Sequence, residues 1–201
     1  MGDLEILPGQ VDGPLQIEAI FGRRAPLEVE VGIGKGRFLL AEAERRPGTD
    51  FLGLEWSLKH LRLARDRAVK RGLLNLRLHR ADARHVLADL LRDASVDRVH
   101  VYCPDPWPKK RHHKRRLFDA ETTRHLERIL VPGGYLHVST DFTDYFEAIV
   151  AAVGAHTRLV PAQDPEFPDA PATGNTNYEA KYLAAGRRIH RATWRRDGRE
   201  R

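Results

Sequence analysis

The sequence predicts an α/β fold built on an open, doubly wound, mostly parallel sheet with helices on both faces. Three observations carry this. Short apolar or β-branched runs alternate with longer segments at helical spacing, the pattern of successive βαβ units. A glycine-rich loop joins the first such run to the first helical segment. The length of 201 residues, with 41% hydrophobic content, suits one core and leaves little room for a second. Residues 1–22 read as a lead-in and residues 23–201 as a single domain.

Leu27–Val31 is the first strand, and Lys35–Arg45 the first helix, with Phe38, Leu39 and Ala41 at helical spacing before Pro47 stops it. Phe51–Leu54 is a buried strand. Leu58, Leu61, Ala64, Ala68 and Val69 mark an amphipathic helix closed by Gly72. Leu74–His79 reads as a strand and Arg84–Arg92 as a helix. Val96–Cys103 is a strand stopped by Pro104. A helix over Ala120–Leu130 closes at Pro132-Gly133-Gly134, Tyr135–Thr140 is a strand, and Thr143–Val153 is a helix ending near Gly154. Pro161–Gly174, with four prolines and no periodicity, reads as a mobile loop. Arg187–Arg196 reads as a final strand.

Composition narrows the functional classes. No apolar stretch reaches the roughly 20 residues that span a bilayer, and there is no basic-then-apolar leader, so a cytoplasmic protein without a membrane partner is expected. The single cysteine, Cys103, excludes an internal disulfide and fits a reducing compartment. The net charge of +6 is less telling than its distribution. Six of the eight residues from Lys109 to Arg116 are cations, and seven arginines crowd residues 187–201. The rest of the chain is acidic. Two cationic segments on an acidic body are the footprint of a polyanion partner.

In a doubly wound sheet ligands bind beyond the carboxyl ends of the strands, which draws attention to five strand ends. After the first strand stands Glu30-Val-Gly32-Ile-Gly34-Lys-Gly36. Its glycines allow a tight turn and close approach of a ligand. The third glycine comes one residue too early for the dinucleotide pattern G-x-G-x-x-G, and an acid precedes the first, which favours S-adenosylmethionine over a nicotinamide cofactor. Glu55 ends the second strand and suits ribose hydroxyls. Asp82, followed by Ala83, is placed either for an adenine amino group or to cap the next helix. Pro104-Asp105-Pro106-Trp107-Pro108 ends the fourth long strand and is too stiff to continue as helix or central strand. It fixes Asp105 and Trp107 at the sheet edge, with Trp107 either stacking on a base or wedging the loop. Lys109, Lys110, Arg111, His112, His113, Lys114, Arg115 and Arg116 follow at once, as phosphate-gripping cations. His112 and His113 lack metal-ligand spacing with Cys103, and no metal is expected.

These residues together resemble the TrmB-type tRNA (guanine-N7)-methyltransferase family. The resemblance runs from about Ile17 to Trp194, through Ile20-Phe-Gly22, Glu30 to Gly36, Gly53-Leu-Glu55, Asp82-Ala83, Ser139-Thr-Asp141 and Thr176-Asn-Tyr-Glu179. Its most specific part is the proline string fused to the basic block, Pro104 to Leu117. The resemblance implies a Rossmann-like, class I S-adenosylmethionine-dependent fold with a seven-stranded sheet. It further implies methyl transfer to N7 of guanosine in tRNA, at the variable-loop guanosine of tRNA position 46, with S-adenosyl-L-homocysteine as product. It assigns the cofactor to Glu30, Gly32, Gly34, Gly36, Glu55, Asp82, Ala83 and Asp105, with Asp105 also catalytic. Lys109, Asp141, Thr176, Asn177, Tyr178 and Glu179 would contact substrate, and Lys110 to Arg116 the RNA. The chain departs from the family where Asn177 replaces a basic residue and Tyr178 a phenylalanine. A monomer or a homodimer is expected. Three rivals are an amino-group methyltransferase, which would use Asp-Pro-Pro-aromatic, a nucleic-acid-binding module with an inactive cofactor pocket, and a nicotinamide oxidoreductase, against which the glycine spacing and the basic block speak.

Overall fold

A computed structural model describes residues 4–6, 13–167 and 176–198. In chain order the elements are β1 (Glu5–Ile6), α1 (Ile17–Phe21), β2 (Leu27–Val31), α2 (Arg37–Arg45), β3 (Asp50–Leu54), α3 (Leu58–Arg71), β4 (Leu76–His79), α4 (Ala83–His85), β5 (Val96–Tyr102), α5 (Ala120–Ile129), β6 (Leu130–Thr140), α6 (Thr143–His156), β7 (Val160–Pro161), α7 (Asn177–Ala184) and β8 (His190–Arg195). They form one sheet in the order β1-β4-β3-β2-β5-β6-β8-β7. The contacts from β1 to β6 are parallel, and β8 runs antiparallel to both β6 and β7. This is the expected seven-stranded sheet with the two-residue β1 added at its edge.

Strand alternation sends successive side chains to opposite faces, and β2 is buried along its whole length. Leu27, Val29 and Val31 join Val99 and Val101 of β5 and Leu136 and Val138 of β6 in an apolar core closed by Leu126, Ile129, Tyr145, Ile149 and Val153 of α5 and α6. On the other face α2 and α3 bring Leu39, Leu40, Leu61, Ala64 and Ala68 onto Phe51, Leu76 and Leu78. Beside that second core the same face turns polar, over Glu28, Arg98, His100 and His137. His100 and His137 stack with centroids 5.0 Å apart.

Three elements differ from the sequence reading. The segment 84–92 opens as a short α-turn and widens at Val86–Leu90 into a π-helical turn, where Leu91 N–H reaches back to the carbonyl of Val86. Strand β6 starts at Leu130 and carries Pro132-Gly133-Gly134 within it. Pairing jumps from Val96↔Leu130 to Arg98↔Tyr135, so these residues form a bulge rather than a helix stop. Helix α6 runs through Gly154 to His156, because a helical glycine costs only about 1 kcal/mol and the packing of buried Val153 outweighs it.

The segment read as a mobile loop is anchored in its first half. Ala162 N–H donates to the carbonyl of Thr193, and Asp164 is buried, 2.7 Å from Arg98 Nε and 3.0 Å from His137 Nε2. Residues 168–174 of that segment lie outside the described residues, as do 199–201 of the arginine-rich tail and part of the lead-in.

Candidate functional site

The strand ends define the site. Glu30 is the penultimate residue of β2, Glu55 follows β3, Asp82 and Asp105 each follow their strand by three residues, and Asp141 follows β6 directly. Parallel pairing therefore lines these acids along one edge of the sheet, at the carboxyl ends of five adjacent strands.

The glycine loop is held by β3. The carbonyl of Leu54 accepts from Gly32 N–H at 2.9 Å and Ile33 N–H at 3.2 Å. Glu55 accepts from Gly34 N–H through Oε2 and from Ser57 N–H through Oε1, both at 2.8 Å. Gly36 has φ +74°, and a Cβ there would fall 2.2 Å from Leu40 Cδ1 and 3.0 Å from Ala64 Cβ, so only glycine lets α2 start against α3. Glu30 is 1% exposed. Its Oε2 has no hydrogen-bond partner among the described residues. Burial, with the nearby carboxylates of Glu55 and Glu179, pushes its carboxyl up to about 8. A buried acceptor without a donor calls for an explanation. Asp82 is exposed and accepts from Arg84 N–H at 2.9 Å, capping α4, with Ala83 as the first helical residue.

Beyond β5 the chain is strained. Cys103 has φ +50° and Trp107 φ +42°, a region that costs non-glycine residues about 1–3 kcal/mol each. Burial pushes the Cys103 thiol up to about 12, so it is no nucleophile at neutral pH. Asp105 lies exposed between these two residues. The cationic block begins at Lys109, which closes onto His112 N–H, and continues as a 3-10 helix over Lys110–Arg115. Lys109, Lys110, Arg111, Lys114 and Arg115 are exposed, while His112 and His113 are half-buried. Trp107 wedges the loop: His112 meets it edge-on at 5.9 Å, and Arg115 lies over its ring at 4.9 Å.

The last cation departs from the expectation of a phosphate contact. Arg116 is 7% exposed. Its Nε donates to the carbonyl of Pro106 at 2.8 Å and its Nη2 to Asp144 Oδ2 at 2.6 Å. The guanidinium sits 4.6 Å over Tyr145.

Helix α7 brings distant residues to the same edge. Thr176 and Glu179 form a capping box, with reciprocal bonds of 3.1 Å. Glu179 is fully buried and also accepts from Arg191 Nη2 at 3.2 Å. Asn177 and Tyr178 are exposed, and the Tyr178 ring reaches to 3.8 Å from where a Cβ on Gly34 would sit. Asp141 accepts from Arg187 Nη1 at 2.7 Å, and Arg187 lies 5.0 Å over Tyr182. Sequence reasoning missed Arg84, Tyr182, Arg187 and the polar network on the sheet face. The network did leave a signal: charged or imidazole side chains at Glu28, Arg98, His100 and His137, at alternate positions of otherwise apolar strands. No cluster of three or more potential metal ligands occurs among the described residues. No helix among them is long and apolar enough to cross a membrane.

Comparison with known proteins places this geometry among relatives. A family model described as a putative methyltransferase matches residues 24–192. The chain is 38% identical to the tRNA (guanine-N(7)-)-methyltransferase of Chromohalobacter salexigens, over 91% of this chain and 74% of that protein. It is 40% identical to the enzyme of the same name from Mycobacterium avium, over 94% of this chain and 73% of that protein. Among solved structures it is similar in fold to the 16S rRNA methyltransferase KamB, with a TM-score of 0.64 at 16% identity, covering 90% of this chain and 93% of that one. It is also similar to the aminoglycoside resistance methyltransferase NpmB1, with a TM-score of 0.61 at 20% identity, covering 90% and 92%.

Proposed function

The chain belongs to the tRNA (guanine-N7)-methyltransferase family, and from that premise we propose how it works: the sheet edge aligns N7 of a tRNA guanosine with the methyl group of S-adenosylmethionine. The enzyme is S-adenosylmethionine-dependent and methylates guanine N7 in tRNA. The variable-loop guanosine at tRNA position 46 is the target of this reading, and the cytoplasm its compartment.

The observation that carries the cofactor assignment is the buried, unpartnered oxygen of Glu30 beside the glycine loop. S-adenosylmethionine carries an ammonium group, which supplies the donor that Glu30 lacks. Gly32 has open space where a side chain would stand. Glu55 has lone pairs left for ribose hydroxyls after its two backbone bonds, and Asp82 and Ala83 lie at the next strand end for the adenine. When bound, the cofactor supplies an electrophilic methyl group on a sulfonium.

Guanine N7 already presents an in-plane lone pair, so no proton has to leave before attack and no general base is assigned. The work of the protein is alignment, a factor that contributes roughly 7–11 kcal/mol in well-oriented systems. The purine gains positive charge as its N7 is methylated. Asp105 orients the guanine through its N–H edge and favours that charge. Lys109, Asp141 and the Thr176–Glu179 turn hold the nucleoside, Asn177 and Tyr178 from the exposed side of α7. Lys110, Arg111, His112, His113, Lys114 and Arg115 grip the RNA backbone. The test is Asp105→Ala assayed on unmodified tRNA, with mass spectrometry locating N7-methylguanosine. Turnover should fall by at least a hundredfold with S-adenosylmethionine still bound, and near-normal turnover would overturn the role.

A further inference from the structure

We infer that Arg116, the last cation of the basic block, is a positioning residue that clamps the Asp105 loop, and that it makes no contact with RNA phosphate. The inference rests on the reading of Asp105 as the catalytic carboxylate.

The Arg116 side chain joins two strand ends, and its backbone carbonyl ties in a third through Arg84. Arg116 Nε holds the carbonyl of Pro106, the residue next to Asp105. Its Nη2 holds Asp144 in the first turn of α6, three residues beyond Asp141. Its own carbonyl accepts from Arg84 Nη2. Arg84 in turn bonds Asp119 and Thr122 through Nη1, and its backbone N–H is capped by Asp82. The cofactor-side strand end, the catalytic loop and the turn after β6 are thus fastened to each other through Arg84 and Arg116.

The loop needs an outside fastening. Pro104, Pro106 and Pro108 have no N–H to donate, so three of the five residues offer only carbonyls. Cys103 and Trp107 both occupy left-handed backbone conformations, which persist only where surrounding contacts fix them. A guanidinium suits the task because its planar fork makes bonds in two directions while stacking on an aromatic face, here Tyr145. Lysine has no such fork. The hydrogen bond from Arg116 holds the Asp144 carboxyl below its usual range. With its guanidinium turned inward, Arg116 neutralises no RNA phosphate and so releases none of the counterions condensed on the RNA.

The test compares Arg116→Ala with Arg115→Ala and Asp144→Asn in the full chain, reading kcat at saturating tRNA, the salt dependence of tRNA binding, and thermal unfolding. Arg116→Ala should lower kcat by about a hundredfold, the loss expected from a misplacement of about 1 Å, with the salt slope unchanged. Arg115→Ala, at an exposed cation placed on the RNA backbone, should reduce the slope by about one. Asp144→Asn weakens one arm at an exposed site, so it decides the matter if Arg116→Ala does not fold. It should lower kcat a few fold with the slope unchanged. A slope reduced by about one in Arg116→Ala, or an unchanged kcat in a folded Arg116→Ala or in Asp144→Asn, overturns the clamp. Asp105→Ala assayed alongside separates the two claims: full turnover there sinks the catalytic reading, whereas loss there with kcat intact in Arg116→Ala sinks only the clamp.

Discussion

Glu28 and Glu30 stand on the same strand and the same face of the sheet, both buried, yet they titrate in opposite directions. Burial pushes both upward. At Glu28 that push is outweighed by hydrogen bonds from His100 at 3.0 Å and from Arg46 at 2.5 and 2.6 Å, and the carboxyl is held at about 2. Arg98 adds a further contact at 3.1 Å. At Glu30 a single backbone hydrogen bond from Leu39 offsets only part of the burial, and the carboxyl rises to about 8. The fold supplies counterions to the acid that ties its sheet to the 162–167 segment. It withholds one from the acid at the ligand edge. A buried acid left unsatisfied beside a glycine loop marks a functional site.

The largest effect should come from the satisfied acid. Glu28→Ala leaves Arg46 and Arg98 buried with fewer partners, a change that destabilises by about 3–5 kcal/mol. The urea midpoint measures it, and a shift below about 1 kcal/mol would mean the network contributes little. Glu30→Gln should act the other way, raising the stability of the cofactor-free protein at pH 7 by about 1–3 kcal/mol while weakening S-adenosylmethionine at least tenfold by calorimetry. Tight binding by this variant would sink the ammonium assignment.

The pH dependence sharpens the same contrast. The unfolded chain ionises Glu30 near 4.5, well before the folded protein does, so this residue removes stability as pH rises from about 4.5 to about 8. Glu28 contributes fully above about 4.5, and its contribution is lost as pH falls toward about 2. Glu30→Gln should therefore flatten the stability profile between about pH 4.5 and about 8 and leave it as it was below about 4.5. The smallest effect is expected at Asp141, whose partner Arg187 is more than half exposed. Arg187→Ala should change stability by less than about 1 kcal/mol, and a larger loss would make that pair part of the framework.

The contrast also explains what the sequence made legible. The glycine loop, Glu55, Asp82 and the proline string act through neighbours in the chain or through backbone groups, so local spacing exposed them. Glu28 owes its state to Arg46, Arg98 and His100, and Asp164 to Arg98 and His137. No local pattern pairs such distant residues, which is why the sequence alone places Asp164 in a loose loop. Pro132-Gly-Gly reads as a helix stop because a bulge and a terminator use the same residues, and only the pairing of β5 with β6 distinguishes them. Arg116 was hidden differently. In a run of eight basic and imidazole side chains, composition cannot tell which one turns inward.

Strand β8 follows every other described element in chain order but lies inside the sheet, between β6 and β7. Its Arg191 reaches Glu179 under the edge where α7 meets the glycine loop. During synthesis, then, the cofactor half of the edge emerges long before the strand that completes the other half. Until β8 leaves the ribosome, β6 has an open hydrogen-bonding edge available to other chains. A chain halted before β8 would carry an unpaired edge on β6 and a Glu179 without its Arg191 contact.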